Sequence, residues 1–155
     1  MLANYTVMEK FLPNPINTWV MAFDFGETRI GVAIGNTLLK IPHPILTVIG
    51  RNKFEKLDKI GKLINEWKPT QLVVGMPTTS PDKVELIANI TRFANRLKHN
   101  FKLPVALINE DYTSSMAACQ LNQQSVIGIS QKSKLDQLSA CGILHFYFAE
   151  INNTL

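Results

Sequence analysis

The sequence predicts an α/β domain built on a mixed five-stranded sheet, three strands in a meander and then two parallel strands, with helices on both faces. Three observations predict it. Short apolar runs separated by turn residues fill positions 19–49. From about residue 54 the apolar spacing becomes helical, and two more short apolar runs alternate with helical segments. Strands joined by tight turns pair antiparallel, whereas strands joined through a helix pair in parallel by a right-handed crossover.

The elements follow in order. Residues 1–18 read as an N-terminal extension, poorly ordered, because Pro13 and Pro15 break regular structure among polar neighbours; the folded domain is expected over 19–155. Trp19-Val-Met-Ala-Phe-Asp-Phe25 is a strand-length run closed by Gly26. Ile30-Gly-Val-Ala-Ile34 follows the polar Glu27-Thr28-Arg29, so the two make a hairpin. Pro44-Ile-Leu-Thr-Val-Ile49 extends it to a meander. Phe54, Leu57, Ile60, Leu63, Ile64 and Trp67 share a helical face that Lys68-Pro69 ends, although Gly61 weakens this helix. Gln71-Leu-Val-Val-Gly75 is a buried strand. Val84, Ile87, Ile90, Thr91, Ala94 and Leu97 stripe a second helix, and Pro104-Val-Ala-Leu-Ile108 is the last strand. Thr113 to about Gln123 and Lys134 to Glu150 read as two further helices around a polar loop containing Gly128.

The chain has 155 residues, 46% apolar and 18% charged, which suits one domain with its own core and excludes a disordered chain. Its apolar runs are far too short to span a bilayer, and the N-terminus has no apolar stretch of the signal-peptide kind. A cytoplasmic location is the expectation. Cys119 and Cys141 have no metal-ligand spacing and read as small buried hydrophobes. The net charge of +4 favours an acidic partner only weakly.

Candidate chemistry lies in acids at element ends. Asp24 sits within the first apolar run, where a carboxylate needs a partner or a metal, and Gly26 and Gly31 leave bare backbone for a metal or phosphate to approach. The alternative is that Asp24 accepts backbone N–H bonds within the hairpin. Glu110 and Asp111 follow the last strand, at the end where open α/β sheets hold ligands, or are solvated turn residues. Asp136 falls in the first turn of the last helix, and Ser133-Lys-Leu-Asp136 also has capping-box spacing. Together the three acids supply convergent carboxylates from rigid elements, as a two-metal centre demands. Hard oxygen donors without His or Cys suit Mg²⁺ better than zinc. His43, in a loop between prolines, His99 and His145 share no ligand spacing. Arg29, in the hairpin turn, and Lys132 and Lys134, flanking the start of the last helix, are candidates for substrate phosphate or ordinary solvated cations. Thr113 and Ser114 touch phosphate or cap the following helix. No basic patch interleaved with aromatics runs along the sequence, so base-specific readout is not expected.

These residues also carry a family resemblance. Asp24-Phe-Gly-Glu-Thr-Arg29-Ile-Gly31-Val-Ala resembles the opening motif of the YqgF/RuvX family, in the ribonuclease-H-like superfamily. Val73-Val-Gly75-Met-Pro77 is similar to its second motif, Asn109-Glu110 with Thr113-Ser114 to its third, and Lys134-Leu-Asp136-Gln-Leu-Ser-Ala140 to its last. The similarity spans about residues 19–150. It implies a ribonuclease-H-like fold and a metal-dependent nuclease whose catalytic and metal-binding acids are Asp24, Glu110 and Asp136, with Mg²⁺ or Mn²⁺ as cofactor. It further implies maturation of the 5′ end of pre-16S rRNA in ribosome biogenesis, with a ribosomal precursor particle as partner, or resolution of four-way DNA junctions. The third motif departs from the family's usual Asp-Glu-Arg, since Asp111 replaces the cation, and Thr78 to Asp82 depart from the usual continuation of the second.

Three functions remain to be separated. A nuclease predicts cutting that requires metal and Asp24, and a junction resolvase should in addition be a dimer. A non-catalytic nucleic-acid-binding module predicts salt-sensitive binding indifferent to both. An actin-like ATP-binding domain fits less well, because the chain has no second duplicated lobe.

Overall fold

The computed structural model describes residues 17–109 and 131–153. Strands β1 (Trp19–Asp24), β2 (Arg29–Asn36) and β3 (Pro42–Ile49) form the antiparallel meander. Strands β4 (Gln71–Met76) and β5 (Val105–Asn109) add in parallel on the far side of β1, giving the order β3-β2-β1-β4-β5. Helix α1 (Lys53–Trp67) leads into β4, helix α2 (Val84–Phe101) into β5, and helix α3 (Gln131–Asn153) closes the chain. The expected mixed sheet is therefore present. Residues 1–16 of the expected extension over 1–18, and the expected helix near 113–123, lie outside the described residues.

Both faces of the sheet are covered, which is why its strands read as apolar runs and not as alternating patterns. Met21, Phe23, Leu72 and Val74 face α1 and α2, where Ile60, Leu63, Ile90, Phe93 and Leu97 meet them. Val20, Ala22, Ala33, Val73 and Ile108 face α3, against Leu138, Cys141, Ile143, Leu144 and Phe148. Cys141 is a buried free thiol, as expected, and Cys119 lies outside the described residues. Among the described residues no helix is long and apolar enough to cross a membrane.

Local chemistry sets the helix ends. The Asn52 side chain accepts the Glu55 N–H at 2.9 Å, and the Glu55 carboxylate accepts the Arg51 N–H at 2.9 Å, so two donors at the start of α1 are satisfied. Lys68 closes α1 in the left-handed region, φ 50°, donating its N–H to Ile64 O at 2.8 Å before Pro69. Gly61 has a packing reason: a Cβ there would stand 3.2 Å from the Phe101 ring.

Several boundaries differ from expectation. Asn17 and Thr18 already bond to the end of β2 and the turn after it: the Asn17 side-chain oxygen accepts the Asn36 amide at 2.6 Å, and the Thr18 N–H donates to Thr37 Oγ1 at 3.2 Å. β3 starts at Pro42, so His43 is a strand residue opposite Ile34 and not a loop residue. Prolines are tolerated because β3 is an edge strand.

Candidate active site at the carboxyl end of β1

The site is built on one row of residues across three strands. Asp24 ends β1 opposite Gly31 of β2, and Gly31 pairs in turn with Thr47 of β3. Side chains alternate along a strand, and Val20 and Ala22 face α3, so Asp24 is directed to that face as well. It is half-buried and makes interactions within the fold.

The start of α3 sits on this row. Thr47 Oγ1 donates to Ser133 O at 2.9 Å, and Gln137 Nε2 donates to Thr47 Oγ1 at 3.3 Å. Gln137 is 3% exposed, one of two buried polar side chains in the described part. At Gly31 the helix backbone comes so close that a Cβ would stand 2.0 Å from Asp136 O. Cross-strand neighbours lie about 4.5–5.5 Å apart. Asp136 is thus carried over the position next to Asp24, on the same face of the sheet.

Arg29, the first residue of β2, completes the group. Its Nε donates to Asp136 Oδ2 at 2.8 Å, with the two side chains 35% and 21% exposed. The guanidinium spans 107 residues of sequence to hold one carboxylate oxygen of Asp136.

Four expectations change. Arg29 belongs to a strand and pairs with Asp136, so one face of its fork is already committed and is not simply turned to phosphate. Gly31 is bare to admit the α3 backbone, where a metal or phosphate had been expected. Gly26 serves the turn, since a Cβ there would meet Arg29 O at 2.4 Å. The capping-box reading of Asp136 fails, because α3 already runs from Gln131: Ser133 lies inside the helix and Asp136 beyond its first turn. Lys132 and Lys134 likewise stand within the helix, exposed and half-buried respectively.

Glu110 and Thr113 lie outside the described residues. β5 ends with Asn109 at the same end of the sheet as β1 and β4, because the three strands are parallel. Among the described residues no three His, Cys, Asp or Glu side chains form a metal-sized group. The two carboxylates that are described offer oxygen donors from a strand end and a helix clamped to the sheet, a donor set that fits Mg²⁺ or Mn²⁺. Thr47, which helps to seat α3, carries no sequence signal, and Gln137 carries only its place in the last family motif. Their roles arise only once β3 and α3 meet.

Comparisons with known proteins agree with this architecture. Residues 18–150 match the family model RuvX, described as Holliday junction resolvase. A protein of Chromobacterium violaceum, named as a candidate pre-16S rRNA nuclease, is 50% identical over 133 residues, covering 84% of this chain and 96% of its own. One of the same name from Nitrosospira multiformis is 47% identical over 135 residues, covering 86% and 89%. Thermus thermophilus RuvC, solved in complex with a Holliday junction substrate, superposes with TM-score 0.59 at 13% identity, over 88% of this chain and 97% of that one. The fowlpox virus Holliday junction resolvase gives 0.51 at 16%, over 89% and 100%. At such identities the two structures speak for the fold alone, which is ribonuclease-H-like. The chain belongs to the RuvX family and is a nuclease, a hydrolase of phosphodiester bonds.

Proposed function

We propose that the chain is a divalent-cation-dependent nuclease acting on the 5′ end of the small-subunit rRNA precursor, with Asp24, Glu110 and Asp136 as catalytic and metal-binding acids. One observation carries this reading: Asp24 and Asp136, 112 positions apart in sequence, share one face of one sheet edge around Gly31. The names of the relatives support the RNA substrate.

Mg²⁺ or Mn²⁺ held there would lower the pKa of water and stabilise charge on the leaving oxygen. The residues' own contributions follow from their places. Asp24, fixed by the β1–β2 ladder, is a rigid oxygen donor. Asp136 is positioned twice, by the helix seated on Gly31 and by Arg29. The remaining N–H groups of Arg29 are donors for a phosphate oxygen. Lys132, Lys134 and Thr113 are proposed as weaker phosphate contacts, and cytoplasm and a ribosomal precursor particle as the setting.

A gel assay tests this. Wild-type protein should cut a 5′-extended small-subunit rRNA precursor with Mg²⁺ or Mn²⁺ but not with EDTA, and Asp24→Asn should not. RNA bound equally by both proteins without cutting would overturn the nuclease assignment of these acids. The family description favours a second substrate, the four-way DNA junction, which is run in parallel. Preferential, paired cutting of the junction by a dimer would transfer the proposal to DNA.

A further inference from the structure

The face of the sheet opposite the candidate acids carries a second feature at the same strand end. Phe25 follows Asp24, so the two Cα atoms are about 3.8 Å apart. Its side chain belongs to the α1/α2 core, where its ring lies 5.0 Å from that of Phe93. Phe25, Phe93, Ile30 and Leu57 floor a pocket whose remaining lining is cationic: Lys53, Lys56 and Arg96. The β1–β2 turn is therefore the rim between this pocket and the acid site.

The cations are notable for what they do not touch. On the outer surface of α1, Lys59 reaches Glu55 at 3.9 Å and Lys62 reaches Asp58 at 3.6 Å. Among the described residues Lys53, Lys56 and Arg96 form no ion pair with a carboxylate. Lys56 donates to the backbone oxygen of Glu27, and the Glu27 carboxylate accepts from Asn89 at 3.3 Å. Lys53 Nζ stands 5.3 Å from the ring centre of Phe54. That ring is 71% exposed at the start of α1, although an aromatic on a helix is normally used in the core.

Size decides the class of ligand. The enclosed space is about 70 Å³, less than half of the roughly 150 Å³ that holds a buried benzene. A small molecule would not be enclosed there. A polymer lying across the mouth meets unpaired cations for its phosphates and an exposed aromatic ring for a base. This pairing is the one that serves single-stranded nucleic acid without regard to sequence.

We propose that Lys53, Lys56, Arg96 and Phe54 form a binding site for single-stranded nucleic acid on the α1/α2 side of the β1–β2 turn, holding nucleotides that flank the bond presented to the acid site. The placement beside the cleaved bond rests on the proposed nuclease function; the binding itself does not.

The test is fluorescence anisotropy of labelled twelve-nucleotide oligoadenylate RNA in EDTA, with wild type, Lys53→Ala/Arg96→Ala, Phe54→Ala and Lys62→Ala. These side chains are solvent-accessible, and circular dichroism checks that each variant is folded. The double variant should bind about ten-fold or more weakly. Its salt dependence should be shallower by about 0.7 in log–log slope per lost phosphate contact. Phe54→Ala should bind about ten-fold more weakly with an unchanged slope, as loss of stacking requires, and Lys62→Ala should match wild type. Equal binding by all four proteins, or no measurable binding by wild type, overturns the proposal. Asp24→Asn separates the two readings: it should bind this RNA like wild type. If Asp24→Asn still cuts while the double variant loses binding, the assignment of Asp24 as a catalytic acid falls and this site stands.

Discussion

The two faces of the sheet are packed by different means. On the α1/α2 face, bulk fills the space: Phe23, Met21, Ile30, Ile60, Leu72 and Leu97 are almost wholly buried, and Phe23 meets Phe93 edge-on at 5.8 Å. On the α3 face the strands contribute small residues, Ala22, Ala33, Gly31 and Gly35. A Cβ at Gly35 would stand 2.8 Å from the Phe148 ring, and one at Gly31 2.0 Å from Asp136 O. Both faces bury large side chains, with Ile143, Leu144 and Phe148 on the α3 side. The close approach of backbone to backbone at Gly31 is what fixes the start of α3, and Asp24 and Asp136 are on that side.

Substitutions should separate these roles. The largest loss of stability is expected from Phe23→Ala, about 3–5 kcal/mol for a buried aromatic, read by urea denaturation. At temperatures where this variant stays folded, cleavage should persist. Gly31→Ala should cost less stability, about 1–3 kcal/mol by overpacking. It should nevertheless lose most cleavage, because α3 must lift and take Asp136 with it. Full cleavage by a folded Gly31→Ala protein would break the distinction between the faces.

Arg29→Gln tests the group from the other side. A guanidinium 2.8 Å from Asp136 competes with a metal ion for that carboxylate. Its removal should tighten Mn²⁺ binding several-fold in calorimetry at about 1 kcal/mol or less of stability. A smaller effect is expected from Tyr147, whose hydroxyl is held above its ordinary pKa by burial beside the α3 core. Its folded pKa is raised, so its stabilising contribution is complete below about pH 10, the unfolded value. It fades as pH rises through the folded value. The melting temperature should fall faster above pH 10 in wild type than in Tyr147→Phe.

Most of the scaffold was legible in the sequence because each element has a local cause. The apolar runs marked all five strands, and the i, i+3, i+4 stripes marked α1 and α2. Helix α3 was harder to bound, since Gln137, Leu138 and the run from Ala140 to Leu144 are buried and leave little contrast between its sides. The spacing of Ser133 and Asp136 imitated a cap because capping boxes and helix interiors can share residue types. The acids were visible as candidates, but their arrangement was not. Arg29 with Asp136 and Thr47 with Ser133 and Gln137 are contacts between distant segments, Phe25, Lys53 and Arg96 line one pocket from three segments, and no local pattern encodes these arrangements. The family motifs pointed to the acids without the physical link that Gly31 supplies.

Asp24 and Asp136 are proposed to belong to one cation site. The most direct test of this claim is a calorimetric titration of folded wild-type, Asp24→Asn and Asp136→Asn proteins with Mn²⁺, without nucleic acid. Wild type should bind, and each single variant should bind at least about 10-fold more weakly. Unchanged Mn²⁺ affinity in either variant would contradict the claim.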